Sequence, residues 1–381
     1  MAPVRDQVLF RLASTLCQLS ARSCSNLPSR RACLSTAALP VRPSVTQPLR
    51  ASETVMNVFD RKAKELQRDR AAAQEDVGVY DYLRSEAGYR LADRIKDVSR
   101  KFDKALDIGC GRGQVAEHIY CDMVGRLYQT ELSKGFLDQS KSSPEAETVK
   151  MHLDEELPLP FEDNEMDLVV SSLNLHWVNN LPGLLQQIHR ILKPDGCFIA
   201  AMFGGETLFE LRCSLQLAET EREGGFAPHI SPFTSIRDVG NLLNRAGFNL
   251  LTIDVDTIVV SYPTMFELMW DLKGMAENNA AWSRKVHLHR DSLLAAASIY
   301  RESYGNKDGS VPATFEILFM IGWKPHSSQA PPAERGSGEF SLKDLKNLPA
   351  LTKKKPVPVI QSDKQDQLSK TKRGGRTRRW T

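Results

Sequence analysis

The residues best placed to do chemistry lie in the run ALDIGCGRG, residues 105–113. An apolar segment carries Asp107 near its end, and Gly109, Gly111 and Gly113 follow at alternate positions. A loop stripped of side chains after a strand lets a ligand approach the backbone closely. The dinucleotide fingerprint needs G-x-G-x-x-G, and here its third glycine position holds Gln114. A carboxylate at position 107 repels a pyrophosphate and attracts an ammonium group. The loop therefore favours a nucleoside bearing a cationic amino acid, which describes S-adenosylmethionine. Glu131 comes 18 residues after Gly113, at the end of a second strand, where an acid accepts hydrogen bonds from ribose hydroxyls. Asp154, in HLDEELPLPF, is placed to accept from the adenine amino group or to cap its own loop.

A sheet must hold these groups. KALDIG and GRLYQTEL read as short strands, and MDLVVSS and CFIAAMF as continuous apolar strands buried on both faces. QVAEHIYC opens a helix after the glycine loop, and LPGLLQQIHRIL is an amphipathic helix stopped by KPDG. Such alternation predicts an α/β fold with a doubly wound, seven-stranded sheet. Two helices precede it, NVFDRKAKELQRDRAA and YDYLRSEAGYRLADRIKDV. ISPFTSIRDVGNLLNRAGF follows as a helix with a glycine cap. The strands NLLTIDVDTIVV and ATFEILFMIGW then enclose a helical insertion, TMFELMWDLKGMAENNA and RDSLLAAASIYRESYG.

Ligands of doubly wound sheets lie beyond the carboxyl ends of the strands, so SSLNLHWVNN after the fourth strand faces the cofactor. Asn174, His176 and Trp177 are the candidate catalytic residues, orienting a substrate, with His176 as a near-neutral base. Packing of the sheet edge is the alternative for His176 and Trp177. Met265, Phe266, Met269 and Trp270 form an apolar stripe, a substrate lid or part of the core. Glu219, Glu221 and Glu223 could meet a guanidinium or face solvent.

The 381 residues are 41% hydrophobic and 25% charged, ordinary for a chain with a buried core, and no apolar run is long enough to span a bilayer. The net charge of +3 is uneven. Residues 1–50 hold seven Arg, no Lys and one acid, Asp6, for +6, and residues 326–381 carry +8. The part between carries −11, which argues against a nucleic-acid face. The Arg- and Ser-rich start, VRDQVLFRLASTLCQLSARS, has the composition of a mitochondrial transit peptide, expected over residues 1–36 with processing near RRACLST. The globular domain is expected over residues 54–325, and residues 326–381 read as a disordered basic tail. Cys110, Cys121, Cys197 and Cys213 would remain after processing, without a C-x-x-C pair, as suits a reducing compartment.

LDIGCGRG, TELS, DEELPLPFEDNEMDLVVSSLNLHWVNNLP and RILKPDG resemble the class I S-adenosylmethionine-dependent methyltransferases, near the malonyl-carrier-protein methyltransferases of biotin synthesis. NVFDRKAKELQRDRAA, GGETLFELRCSLQLAETEREGG and HISPF resemble a family of mitochondrial complex I assembly factors described as arginine hydroxylases. The likeness covers about residues 54–337, and nothing is carried onto the extreme C-terminal tail after that. It implies a matrix protein, peripheral to the inner membrane, that acts early in assembly of NADH:ubiquinone oxidoreductase. Its implied partners are an iron–sulfur subunit of that complex, which carries the target arginine, and other assembly factors. Oxygen insertion at an unactivated carbon needs a redox metal or an organic cofactor. The common iron site is two His and one carboxylate. His152 and Asp154 have that local spacing, but Asp154 is assigned to the adenine side, and His287 and His289 fall outside the cofactor face. No metal site is expected, and the oxygen-activating cofactor stays unassigned. Three readings stand: arginine hydroxylase and assembly factor, conventional methyltransferase, and non-catalytic assembly chaperone.

Overall fold

A computed structural model describes residues 57–285, 287–330 and 335–336. The expected transit peptide and most of the expected tail lie outside the described residues. Seven strands form one sheet: β1 (Phe102–Ile108), β2 (Val124–Glu131), β3 (Glu147–His152), β4 (Met166–Ser172), β5 (Leu192–Phe203), β6 (Asn249–Tyr262) and β7 (Val311–Trp323). Their order is β3-β2-β1-β4-β5-β7-β6. The first five strands pair in parallel, while β7 runs antiparallel to both β5 and β6. The expected doubly wound α/β sheet forms, with one strand reversed.

The apolar strands read from the sequence are central ones. Leu168, Val169 and Val170 of β4 and Phe198, Ile199 and Ala200 of β5 are wholly buried. Helices α4 (Leu181–Ile191) and α6 (Ile236–Ala246) cover one face with Leu184, Ile188, Val239 and Leu243. Helices α2 (Tyr82–Asp97), α5 (Phe209–Glu223) and α8 (Arg290–Tyr304) cover the other with Leu83, Leu91, Leu211, Leu215 and Tyr300. Each such leucine contributes about 1.5–3 kcal/mol of transfer free energy. Side chains of Asn180 and Ser235 accept from backbone N–H groups of Gly183 and Asp238, starting α4 and α6.

One expectation fails. After the glycine loop there is no α-helix, only a 3₁₀ turn at Ala116–His118. Residues 114–123 alone separate the loop from β2, fewer than the dozen or so of an ordinary helical crossover. The ends that matter remain aligned, because Asp107 of β1 lies opposite Gln129 of β2 and Val170 of β4. Asp107, Glu131 and the segment after Ser172 therefore share the carboxyl edge of the sheet.

Candidate functional site

The loop after β1 has the backbone that its glycines permit. Gly109, Gly111 and Gly113 all have positive φ, at 67°, 58° and 78°. A Cβ at Gly109 would lie 2.1 Å from Cγ of Asn174, and one at Gly113 would lie 2.2 Å from the Lys141 carbonyl oxygen. Both positions exclude any side chain.

The two acids differ sharply. Asp107 is wholly buried, and neither carboxylate oxygen has a hydrogen-bond partner among the described residues. Burial, with the nearby charge of Glu131, pushes its pKa up to about 8. Glu131 is equally buried but saturated. Its Oε2 accepts from the Gly111 N–H at 2.8 Å, and its Oε1 accepts from the Ser133 N–H at 3.1 Å. That second oxygen also takes Nη1 of Arg68 at 2.7 Å. Arg68 comes from α1 (Arg61–Ala72), and its Nη2 donates to Oδ1 of Asn174 at 2.5 Å. The Asn174 amide in turn donates to Oε1 of Glu155 at 2.9 Å, so both ends of this candidate are engaged.

Asp154 takes the role of loop cap, its Oδ1 accepting from the Glu156 N–H at 3.0 Å. The same oxygen accepts from Nη2 of Arg61 at 2.9 Å, and Arg61 also meets Oε1 of Glu155 at 2.9 Å. Burial opposes the charge on Glu155, but Arg61 and Arg68 outweigh it and hold the pKa below the usual carboxylate range.

His176 and Trp177 sit in a 3₁₀ turn, Leu175–Trp177, and converge on a residue that sequence reasoning missed. Glu277 Oε2 accepts from the Trp177 indole N–H at 2.8 Å and lies 3.3 Å from Nε2 of His176. Its other oxygen pairs with Arg84 of α2. Burial opposes the Glu277 charge, yet Arg84, His176 and Lys64 hold its pKa well below the ordinary value. Burial lowers the His176 pKa in spite of Glu277, so the imidazole is neutral near pH 7. With Nε2–H directed at Glu277, Nδ1 keeps its lone pair, and it has no partner among the described residues. Lys64 of α1 stands 3.3 Å over the Trp177 ring and donates to the Ala276 and Asn278 carbonyls.

His152 ends β3 opposite Glu131, at the same edge, and its Nε2 hydrogen-bonds the Leu132 carbonyl at 2.8 Å. His289 accepts from the Asp291 N–H at the start of α8. Among the described residues, no three His, Cys, Asp or Glu side chains gather as metal ligands. Glu219 and Glu223 share Lys285, which answers their charge from within the chain. In α7 (Met265–Gly274) the apolar stripe splits, with Met265 buried and Phe266 and Trp270 exposed.

A family profile described as a methyltransferase domain matches residues 106–200. A relative from Danio rerio named "Arginine-hydroxylase NDUFAF5, mitochondrial" is 59% identical over 298 residues, covering 78% of this chain and 92% of its own. The chain belongs to the NDUFAF5 arginine-hydroxylase family. It is also similar to the malonyl-[acyl-carrier protein] O-methyltransferase of Methylovorus sp. (strain MP688), 29% identical over 275 residues, 69% of this chain and 89% of that one. The crystal structure of YcgJ from Bacillus subtilis is 15% identical with a TM-score of 0.44, covering 63% of this chain and 99% of that one.

Within this family member the missed residues are Arg61, Lys64, Arg68, Arg84, Glu155 and Glu277. A signal for the first three was present. Spaced by three and then four, Arg61, Lys64 and Arg68 share one helical face, and all three point inward. Glu277 had none, because it lies about a hundred positions from its partners in an insertion with no motif.

Proposed function

We propose that this chain hydroxylates an arginine of a partner protein in mitochondria. In this reading the partner is an iron–sulfur subunit of NADH:ubiquinone oxidoreductase during assembly of complex I, alongside other assembly factors. The observation that carries it is the 59% identity, over most of both chains, to a relative named as a mitochondrial arginine-hydroxylase. The Arg- and Ser-rich residues 1–36 would be the import signal, and the mature chain would work in the matrix, peripheral to the inner membrane. No helix among the described residues is long and apolar enough to cross a membrane.

The methyltransferase fold implies S-adenosylmethionine, and the residues present fit it. The buried Asp107 carboxyl, unpartnered among the described residues, calls for a cation, and the loop of positive-φ glycines offers bare backbone beside it. Asp107 would hold the ammonium, residues 109–113 would cradle the amino-acid part, Glu131 would face the ribose, and Asp154 would border the adenine. When bound, S-adenosylmethionine supplies a methyl group on a positively charged sulfur. Asn174, His176 and Trp177 would form the substrate side, with Glu277 holding the imidazole in one tautomer and orientation.

The retained glycine loop and Asp107 favour a second reading, a methyltransferase acting on a matrix protein or an acyl carrier. Intact-mass analysis of the iron–sulfur subunit, from cells with and without this protein, separates the readings. A gain of about 16 Da supports hydroxylation, about 14 Da supports methyl transfer, and no change refutes both in favour of a non-catalytic chaperone.

A further inference from the structure

The acid assigned to the ribose already has a cation. Arg68 and Glu131 are both nearly devoid of solvent, with side chains 2% and 1% exposed and nitrogen to oxygen 2.7 Å apart. Both Glu131 oxygens are in use, two of their donors being backbone N–H groups of Gly111 and Ser133. Those amides belong to the loop and to the cap of α3 (Lys134–Gln139), and the fold holds them in place. Oε1 accepts from both Ser133 and Arg68 while Oε2 accepts from Gly111 alone, so a ribose diol that bridges both oxygens gains Oε1 only if the guanidinium, the donor on a long side chain, leaves. The chemistry of the cleft thus sets the chain's own cation against the ligand for one carboxylate.

The element that carries Arg68 is held in a way that permits release. The wholly buried residues of α1 are Lys64, Arg68, Ala71 and Ala72, so its contribution to apolar packing is two alanines. Its remaining hold is polar: Arg61 on Asp154 and Glu155, Lys64 on two carbonyls and the Trp177 ring, Arg68 on Glu131 and Asn174, and, towards α3, Asp69 accepting from the Ser133 hydroxyl and the Ala72 carbonyl from Gln139. An element with few buried apolar contacts sits at the low-stability end of a fold and opens locally.

We propose that α1 is an internal strap over the cofactor cleft and that Arg68 is an internal competitor, which the ligand's ribose displaces from Glu131. This rests on the S-adenosylmethionine reading above. Loading then loosens α1, and loss of the guanidinium frees the Asn174 carbonyl oxygen that it had engaged. The pocket is closed in the absence of ligand and opens as the ligand arrives, the reverse of a lid that shuts over a bound molecule.

Hydrogen exchange of the full chain, with and without S-adenosylhomocysteine, needs no variant. Backbone amides of residues 61–72 should exchange at least tenfold faster with ligand bound. Calorimetry on Arg68→Gln and Arg68→Ala should show at least tenfold tighter binding than the parent, the glutamine guarding against a truncated variant that folds poorly. Slower exchange in α1 on binding, or affinity unchanged or weakened in both variants, overturns the proposal while the cofactor reading stands. No binding by the parent or by either variant overturns both.

Discussion

Asp107 should release a proton when the cleft takes up a cationic ligand. Its carboxyl has no hydrogen-bond partner among the described residues, and burial pushes its pKa up to about 8. At pH 6 such a group is about 99% protonated. An ammonium placed beside it favours the charged form and pulls the pKa back below neutrality, so the proton leaves on binding. S-adenosylhomocysteine carries the ammonium and the ribose. Its α-amino group, on a free amino acid beside a carboxylate, is more basic than a peptide N-terminus and stays charged from pH 6 to pH 8. Net release should therefore be about one proton per ligand at pH 6 and fall to about half a proton at pH 8, where half of Asp107 is already ionised before binding. Affinity should rise by up to about tenfold per pH unit below pH 7, because the competing proton becomes scarcer. Calorimetry in buffers of different ionisation enthalpy counts the protons directly. Asp107→Asn should abolish the release and weaken binding by roughly tenfold to a hundredfold, the worth of a hydrogen bond to a charged group. Tight binding by the parent at pH 6 with no proton released would refute the pairing of this carboxyl with the ligand's ammonium.

Two further outcomes follow from the same geometry. Gly109→Ala places a Cβ 2.1 Å from Asn174 in a residue at φ 67°, so urea denaturation should show a loss of about 1–3 kcal/mol or more and calorimetry should show no ligand binding. A stability change within about 0.5 kcal/mol would mean that the loop relaxes freely. Glu277→Ala removes the one carboxylate shared by Arg84, His176 and Trp177, and should cost about 3–5 kcal/mol in the same denaturation, with Glu277→Gln losing less.

Much of this architecture could be read along the chain. Alternation of apolar strands and amphipathic helices located most elements, since the strand period of two and the helix period of 3.6 are local properties of the backbone. The glycine cap at Gly247 was equally local. The helix expected after the glycine loop was the exception, because the distance to β2, and not the propensity of QVAEHIYC, decides what fits there.

The sequence by itself determined the carboxyl edge: three glycines free to take positive φ, Asp107 in the strand before them, and Glu131 at the end of the next. Each of these follows from near neighbours. Only the tertiary structure decided who answers those charges. Among the described residues it left Asp107 without a partner and gave Glu131 an arginine from a helix 63 positions away. It also joined His176 and Trp177 to a glutamate from the β6–β7 insertion. Charged residues belong in water unless a partner is present. A lysine or arginine on a helix therefore reads as solvent-facing until packing shows that the opposite charge lies beneath it.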